Sequence, residues 1–396
     1  MEAHREVAEV DIVGGSAAGL FAAYLLAREG KRVRLFDAND VLHTEARTLI
    51  TTSHLTDVLG FFPRDAVCNE ITQIDLFSPC QSVTIPMKMP DLVVERSAVV
   101  RLLARKALAE GVEIRGGCKL VNLEPAEQGV TLTIQDTHQN RVETFKTKTL
   151  IGADGSFSRV AKIATGTGHG TTPILQAIVK RPDGTGLNTT QVWFEPEDTP
   201  YFYWLIPESD KQAAVGFIAE EGKHGRTKLE KFLARQGLKI LDIQAARIPA
   251  YKPFMRQWTN ISGADIYLVG DAAAQVKVTT VGGLVTGLRG AKAAAHAILQ
   301  RRDYLKELRP LRRELGLHLI LRCVLNRFRS RDYDRLLGLL NEKTLHLLGH
   351  YNRDQAARML CRILWAQPRL LGFGTVLSRG IWERRPRLSI SDASAD

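Results

Sequence analysis

The feature that most constrains this chain is a glycine-rich turn close to its start. Val10-Asp11-Ile12-Val13 runs into Gly14-Gly15-Ser16-Ala17-Ala18-Gly19-Leu20, and Val33-Arg34-Leu35-Phe36-Asp37 follows. That order predicts an apolar strand, a tight turn, a small-residue helix and a second strand ending in an acid. Such a turn lets backbone N–H groups approach a pyrophosphate at a helix N-terminus, where the helix dipole favours negative charge. Asp37 lies 23 positions beyond Gly14, suited to accept a hydrogen bond from a ribose hydroxyl. A dinucleotide is therefore the expected ligand, with Gly14, Gly15, Ser16, Ala17, Ala18, Gly19, Asp37 and Ala38 around it. Ser16 stands where the fingerprint has a glycine. No second glycine fingerprint follows at a strand–helix junction, which argues for one tightly held nucleotide and against a separate nicotinamide domain.

The 396 residues suffice for two or three domains with their own cores. Cys68, Cys80, Cys118, Cys323 and Cys361 are odd in number and lack CxxC pairing, so neither a disulfide framework nor a zinc site is expected. The ten histidines show no metal-ligand spacing. The charged N-terminus enters the first strand almost at once, leaving no room for a signal peptide, and no apolar run nears the roughly 20 residues of a membrane span. A cytoplasmic protein is expected, with a possible peripheral place at the inner face of the cell membrane. The net charge of +11 is uneven: residues 301 onward hold 20 Lys+Arg against 10 Asp+Glu, of totals of 54 and 43. Such a segment suits an anionic membrane surface, although charge runs often only keep a helical face solvated.

Along the chain, Ile71 to Val94 alternates apolar and polar residues between Pro79, Pro86 and Pro90, predicting short antiparallel strands. Ser97 to Glu110 has helical spacing and ends at Gly111. Residues 171–220, rich in Val, Ile, Phe, Tyr and Trp, read as a mostly antiparallel sheet roofing a substrate cavity. Asp265 to Gly270 reads as a buried strand, Leu284 to Leu299 as a small-residue helix, and Asp303 to about Ser378 as helical.

Two further segments narrow the nucleotide. Ile151-Gly152-Ala153-Asp154-Gly155 resembles the DG motif of flavoproteins related to the aromatic hydroxylases, and Val269-Gly270-Asp271-Ala272-Ala273 resembles their GD motif. Arg96, before the Ser97 helix, matches an arginine that this superfamily keeps near the flavin. Taken singly, Asp154 and Asp271 read as turn or cap residues and Arg96 as a helix-start residue. Fingerprint, DG and GD in this order identify FAD.

Gly270-Asp271-Ala272-Ala273-Ala274-Gln275-Val276-Lys277-Val278-Thr279-Thr280-Val281-Gly282-Gly283-Leu284 resembles the geranylgeranyl reductase family, where GDAA and a polar link precede P-T-T-G-G-G-I. Aromatic hydroxylases tend to have a histidine after GDAA, where this chain has Ala274. The resemblance implies an α/β fold with a discontinuous Rossmann-like FAD-binding domain (1–70, 93–165 and 255–300) and a β-rich substrate domain (71–92 and 166–254). It also implies a helical C-terminal region (301–388), and the polar residues 389–396 read as a disordered tail. It further implies that Asp271 faces the ribityl chain, that Gly283 and Leu284 present N–H groups to the flavin ring, and that Leu120 touches the adenine end.

The chain departs from the family at Val278 and Val281, which replace a proline and a glycine. Ala46-Arg47-Thr48 occupies a loop where many members carry a cysteine-glycine pair, so no cysteine-dependent step is expected; Arg47 is a candidate for the cofactor phosphates. Tyr201-Phe202-Tyr203-Trp204-Leu205-Ile206-Pro207 resembles the family's aromatic substrate motif and also the W-x-W-x-I-P of flavin-dependent halogenases. Trp204, Pro207, Thr279 and Thr280 are the expected substrate contacts. An aromatic strand packing the core is the bland alternative. Lys277 reads as a solvated loop lysine, with contact to an anionic head group as the alternative.

The function the resemblance implies is FAD-dependent reduction of carbon–carbon double bonds in an isoprenoid lipid or polyprenyl compound. The reductant is left open between NAD(P)H and ferredoxin, so an electron-carrier protein is a candidate partner. Nucleic acid is not an expected partner. Hydride would come from reduced flavin and a proton from Tyr203 or from a water held by backbone groups. The alternatives are a flavin-dependent monooxygenase or halogenase, a non-redox cyclase that uses reduced flavin to stabilise charge, and a non-catalytic membrane-docking flavoprotein.

Overall fold

The computed structural model describes residues 8–39, 47–166, 168, 170–220, 224–253, 255–351 and 353–376. The chain opens with β1 (Val10–Val13), α1 (Ala17–Arg28), β2 (Val33–Phe36), β3 (Thr48–Thr52) and α2 (His54–Leu59). There follow β4 (Val67–Phe77), β5 (Ser82–Glu95), α3 (Arg96–Ala109), β6 (Glu113–Arg115), β7 (Cys118–Ala126), β8 (Gly129–Asp136), β9 (Arg141–Thr147), β10 (Thr149–Gly152) and α4 (Arg159–Thr165). The middle holds β11 (Thr171–Lys180), β12 (Thr189–Trp193), β13 (Tyr203–Pro207), β14 (Gln212–Ile218), α5 (Gly225–Arg235), β15 (Ile240–Pro249), β16 (Trp258–Ile261) and β17 (Ala264–Leu268). The last part is helical: α6 (Leu284–Gln300), α7 (Tyr304–Glu307), α8 (Arg309–Leu325), α9 (Ser330–Gly338), α10 (Glu342–His350) and α11 (Ala356–Ala366). The expected tail lies outside the described residues.

The α/β class expected from the first forty residues is what the chain adopts. A six-stranded sheet in the order β16-β17-β10-β1-β2-β6 is parallel except for β16. Strands β1, β2 and β10 are buried on both faces, by α1, α3 and α6 on one side and by β7, β8 and α4 on the other, which is why they read as continuous apolar runs. Helices α1, α3 and α6 share one core, where Leu20, Phe21, Val99, Leu103 and Leu288 are fully buried. Ser16 caps α1 by accepting from the Gly19 N–H, and the Glu95 carboxylate caps α3 through the N–H groups of Ser97 and Ala98.

An eight-stranded sheet runs β15-β11-β14-β13-β12-β4-β5-β3, and β7-β8-β9 form a small antiparallel sheet. The larger sheet departs from the sequence expectation in two ways. Strand β5 continues for 14 residues through Pro86 and Pro90. Strand β3 pairs only with Asp91 to Glu95, Pro86 faces Gln73 of β4 on one side alone, and Pro90 falls at the break in the β4 register, so each proline leaves at least one side outside the ladder. Strand β3 itself, and all of β4, belong to this sheet, so boundaries drawn at 70/71 and 92/93 cut strands β4 and β5.

The C-terminal helices build a separate core from Phe328, Tyr333, Ile363, Leu370 and Phe373. Tyr333 stacks on Phe194 just beyond β12, with ring centroids 4.4 Å apart. Helix α10 approaches β5 so closely that a side chain at Gly349 would collide with the Pro86 carbonyl at 1.9 Å.

Candidate functional site

A cleft of about 450 Å³ lies at the C-terminal ends of β1, β2 and β10, where parallel sheets bind their ligands. Gly14, Gly15, Ser16, Asp37, Ala38, Arg96, Leu120 and Asp154 line it, eight of the residues expected from sequence. Cys118, Lys119, Phe157 and Arg159 line it as well and were not anticipated, although Phe157 and Arg159 belong to the DG segment. Ala17, Ala18 and Gly19 lie in the first turn of α1 behind the cleft.

The turn is made of backbone. Gly14 has φ +111, and a Cβ there would sit 2.3 Å from the Ala153 carbonyl, so the β1 and β10 turns interlock only through glycine. A Cβ at Gly19 would meet the Gly14 carbonyl at 2.1 Å. The Asp37 carboxylate accepts from the Gly15 N–H at 2.5 Å and the Asn39 N–H at 2.8 Å, which fixes the acid at the rim. Asp154 holds the second turn: it accepts from Ser158 Oγ at 2.5 Å and the Arg159 N–H at 2.7 Å. Burial pushes its carboxyl above the usual range while these hydrogen bonds pull it back. Arg159 donates to the carbonyls of Leu120 at 3.3 Å and Val121 at 2.8 Å, tying β7 to the cleft. Exposed Arg96 receives its backbone hold from the Arg47 carbonyl, 2.9 Å from its N–H.

At the other end, the GD turn meets the start of α6. A Cβ at Gly283 would lie 3.3 Å from Asp271 Oδ1, and Leu284 opens the helix, so the GD acid and the helix N-terminus adjoin. Ser156 Oγ donates to Asp271 Oδ2 at 3.2 Å, which links the DG and GD turns. Sequence reading missed what secures this junction. The buried Gln275 side chain accepts from the Gly270 N–H at 2.8 Å, and Tyr304 donates to the Leu268 carbonyl at 2.7 Å.

The intervening loop is fastened by side chains from far along the chain. Its ends close through the Lys277 N–H and the Gly282 carbonyl at 3.1 Å. Lys277 is buried and paired with Asp354 at 2.5 Å, which corrects the solvated-lysine expectation. Burial alone would raise the Asp354 carboxyl, but Lys277 and a hydrogen bond from Thr52 hold it below its usual value. Arg353 pairs with Asp91 of β5 beside it. Thr279 Oγ1 lies 2.6 Å from His318 Nδ1 of α8. Burial, followed by the nearby Lys277 charge, lowers His318 to about 4, so the ring is neutral at pH 7. Thr280 is half-buried. Val281 adopts φ +49, a left-handed conformation costly for a β-branched residue, and packs on the cluster containing Trp204 and Ile206.

Alternation along β13 splits the aromatic motif. Trp204 and Ile206 face the cluster shared with Val281, whereas Tyr203 and Leu205 face α5. Tyr203 is 0% exposed, stacks on Phe232 at 3.9 Å, and its hydroxyl bonds Asp198 at 3.2 Å. The Tyr203 proton donor is therefore corrected: its ring is core packing on the far face from the loop. Pro207, which pairs with Ala213, shares that far face by alternation.

Residues 7–301 match the model of the FAD binding domain family. The chain belongs to this family. The cleft fits the cofactor: open space of about 450 Å³ lies against the Gly14-Gly15-Ser16 turn at the N-terminus of α1, with Asp37 and Arg96 on its walls, the chemistry that a pyrophosphate and a ribose need. This flavoprotein is an FAD-dependent oxidoreductase related to the geranylgeranyl reductases. It is 26% identical over 304 residues to digeranylgeranylglycerophospholipid reductase 2 of Methanothermobacter thermautotrophicus, covering 72% of this chain and 76% of the relative. Over 313 residues it is 25% identical to the chloroplastic geranylgeranyl diphosphate reductase of Oryza sativa subsp. japonica, covering 73% and 66%. Its fold matches a geranylgeranyl bacteriochlorophyll reductase-like protein from Thermoplasma acidophilum with a TM-score of 0.76 at 16% identity, covering 93% and 98%. The same fold carries a flavin-dependent brominase, with a TM-score of 0.66 at 16% identity and 96% and 100% coverage.

Proposed function

We propose that this flavoprotein reduces carbon–carbon double bonds in an isoprenoid lipid or polyprenyl compound. The observation that carries the reading is the kinship to relatives named as isoprenoid reductases over nearly three-quarters of the chain. The GD-to-α6 loop with Thr279-Thr280 and the absence of a histidine after Gly270-Asp271-Ala272-Ala273 support it against the hydroxylases. In this reading the Gly14–Gly19 turn and Arg96 hold the pyrophosphate, Asp37 the ribose and Leu120 the adenine end. Asp271 takes the ribityl chain, and the N–H groups of Gly283 and Leu284 face the ring.

The chemistry that FAD supplies when bound and reduced is hydride donation. The protein's part is to hold the alkene against the loop, to exclude water with Trp204, Ile206 and Val281, and to supply a proton. With Tyr203 turned into the core, a water held at the backbone of the flavin loop is the proton source in this reading. The fixed N–H groups at the start of α6 favour negative charge at that point. The basic C-terminal region supports lipid drawn from an anionic surface. Among the described residues, no helix is long and apolar enough to cross a membrane.

The test is to purify the protein with its flavin, reduce it with dithionite and incubate it with geranylgeranyl lipids under mass spectrometry. A gain of two hydrogens per reduced bond supports the reading. Oxygen or halogen in the product under aerobic conditions establishes the monooxygenase or halogenase instead, the reading favoured by the brominase-like fold and the Trp204-Leu205-Ile206-Pro207 segment. A product of unchanged mass indicates the cyclase.

A further inference from the structure

Among the described residues, one buried cation of the helical region has no counter-charge. Arg322, in the last turns of α8, is 3% exposed, yet no carboxylate lies within ion-pair reach of it among the described residues. Its partners are neutral. It donates to the Pro200 carbonyl and lies 4.4 Å over the Tyr201 ring. Its Nε–H has no partner at all. That N–H belongs to the edge of the guanidinium fork that normally grips a carboxylate or phosphate in two parallel bonds. Burying a charge without an opposite charge is costly, so an anion brought to Arg322 would stabilise it.

The neighbours of Arg322 belong to the Thr279 loop and the aromatic segment. His318 sits one helical turn earlier on the same face of α8, bonded to Thr279 of the flavin loop through Nδ1, with its buried Nε2 unpartnered. Tyr201 and Phe202, both half-buried, join the cluster of Trp204, Ile206 and Val281, and the indole N–H of Trp204 is also buried without a partner. Glu314, one turn earlier again, does not neutralise Arg322, because Arg289 holds it at 2.5 Å. Helix α8 thus joins the flavin loop to the aromatic segment, and three buried nitrogens there lack partners.

We propose that Arg322, assisted by His318 and Trp204, is the recognition point for a phosphate group attached to the polyprenyl chain of the substrate. This rests on the isoprenoid reading above and adds a binding site to it. The phosphate supplies the missing negative charge and fills the open edge of the fork, while the chain extends past Tyr201 and Phe202 along the aromatic cluster. The same chemistry occurs in a polyprenyl diphosphate and in the head group of a polyprenyl phospholipid.

Calorimetric titration of the oxidised, FAD-loaded protein tests the site with three probes: geranylgeranyl diphosphate, digeranylgeranylglyceryl phosphate in detergent micelles, and neutral geranylgeraniol. Arg322→Met is expected to weaken one or both phosphorylated probes by about tenfold to a hundredfold and to leave geranylgeraniol within about twofold. Which phosphorylated probe responds identifies the source of the phosphate. Arg322→Lys keeps the charge and loses the fork, so it is expected to fall between. In the wild-type protein, inorganic diphosphate is expected to displace the phosphorylated probe and not geranylgeraniol, a readout that survives any misfolding of the variants. Equal loss of all three probes, or no loss of any, overturns the site while geranylgeraniol binding keeps the isoprenoid reading. If the yellow wild-type protein binds none of the probes, both fall together.

Discussion

The nucleotide cleft and the loop between the GD turn and α6 are built from different materials. The nucleotide cleft is almost all backbone: glycines at Gly14 and Gly19, N–H groups and two acids that hold turns in place. The loop from Lys277 to Gly282 is shaped by side chains arriving from β3, α8 and the segment before α11, namely Thr52, His318 and Asp354. The first kind of site tolerates almost no change at its glycines and is joined to β10 and β7 mainly through close backbone contacts. The second is a set of pairs, in which one member can be removed or both replaced, and it depends on the C-terminal helices remaining docked.

The contrast breaks most visibly at Gly14. In Gly14→Val the added atoms meet the Ala153 carbonyl and a positive φ unsuited to valine, a strain of about 3 kcal/mol or more. The expected outcome is a nearly colourless protein, with FAD per chain down by about tenfold or more. Normal flavin content would show that the turn has room that its geometry denies.

At the loop, Lys277→Met removes the cation paired with buried Asp354 and is expected to cost about 3–5 kcal/mol, lowering Tm by roughly 5 °C. A double variant that also carries Asp354→Leu should recover most of that loss. If it recovers nothing, the two residues do not act as a pair.

A smaller, pH-dependent effect separates His318 from the rest. Its folded value of about 4 lies below its ordinary 6.5, so between those values the unfolded chain binds more protons. Stability from keeping this ring neutral is full above pH 6.5 and is lost as the pH falls toward 4. Tm of the wild type should therefore drop more steeply across that window than Tm of His318→Gln. Parallel curves would sink the assignment.

Smallest is Val281→Gly. Relief of about 1–3 kcal/mol of backbone strain is offset by glycine's greater unfolded freedom and by the lost contact with the Trp204 cluster, so Tm should move by less than about 3 °C. A large loss would mean that packing, with little strain to relieve, sets the loop's shape.

How much of the site could be read in advance follows the same division. Gly14, Gly15 and Asp37 were expected because a glycine turn and the acid after the next strand carry a local pattern, and Arg96, Leu120 and Asp154 through the family resemblance; all six line one cleft. Asp271, Gly283 and Leu284 were likewise expected as one group and adjoin at the start of α6. Tyr203 was misread because a motif shared with relatives does not say which face of a strand turns toward the loop; only its packing under α5 decides that. The prolines of β5 misled because a single sequence does not tell an edge from a paired strand.

By itself the sequence determined the α/β class, the FAD turn and the order of the three glycine–aspartate motifs, since each rests on interactions between residues close along the chain. Only the tertiary structure decided that Lys277 is buried, that Tyr203 is core, and that α8 carries His318 to Thr279 and Arg322 to Tyr201. Those outcomes depend on which distant segments meet, and a buried charge or an open N–H is defined only by what the folded chain brings beside it.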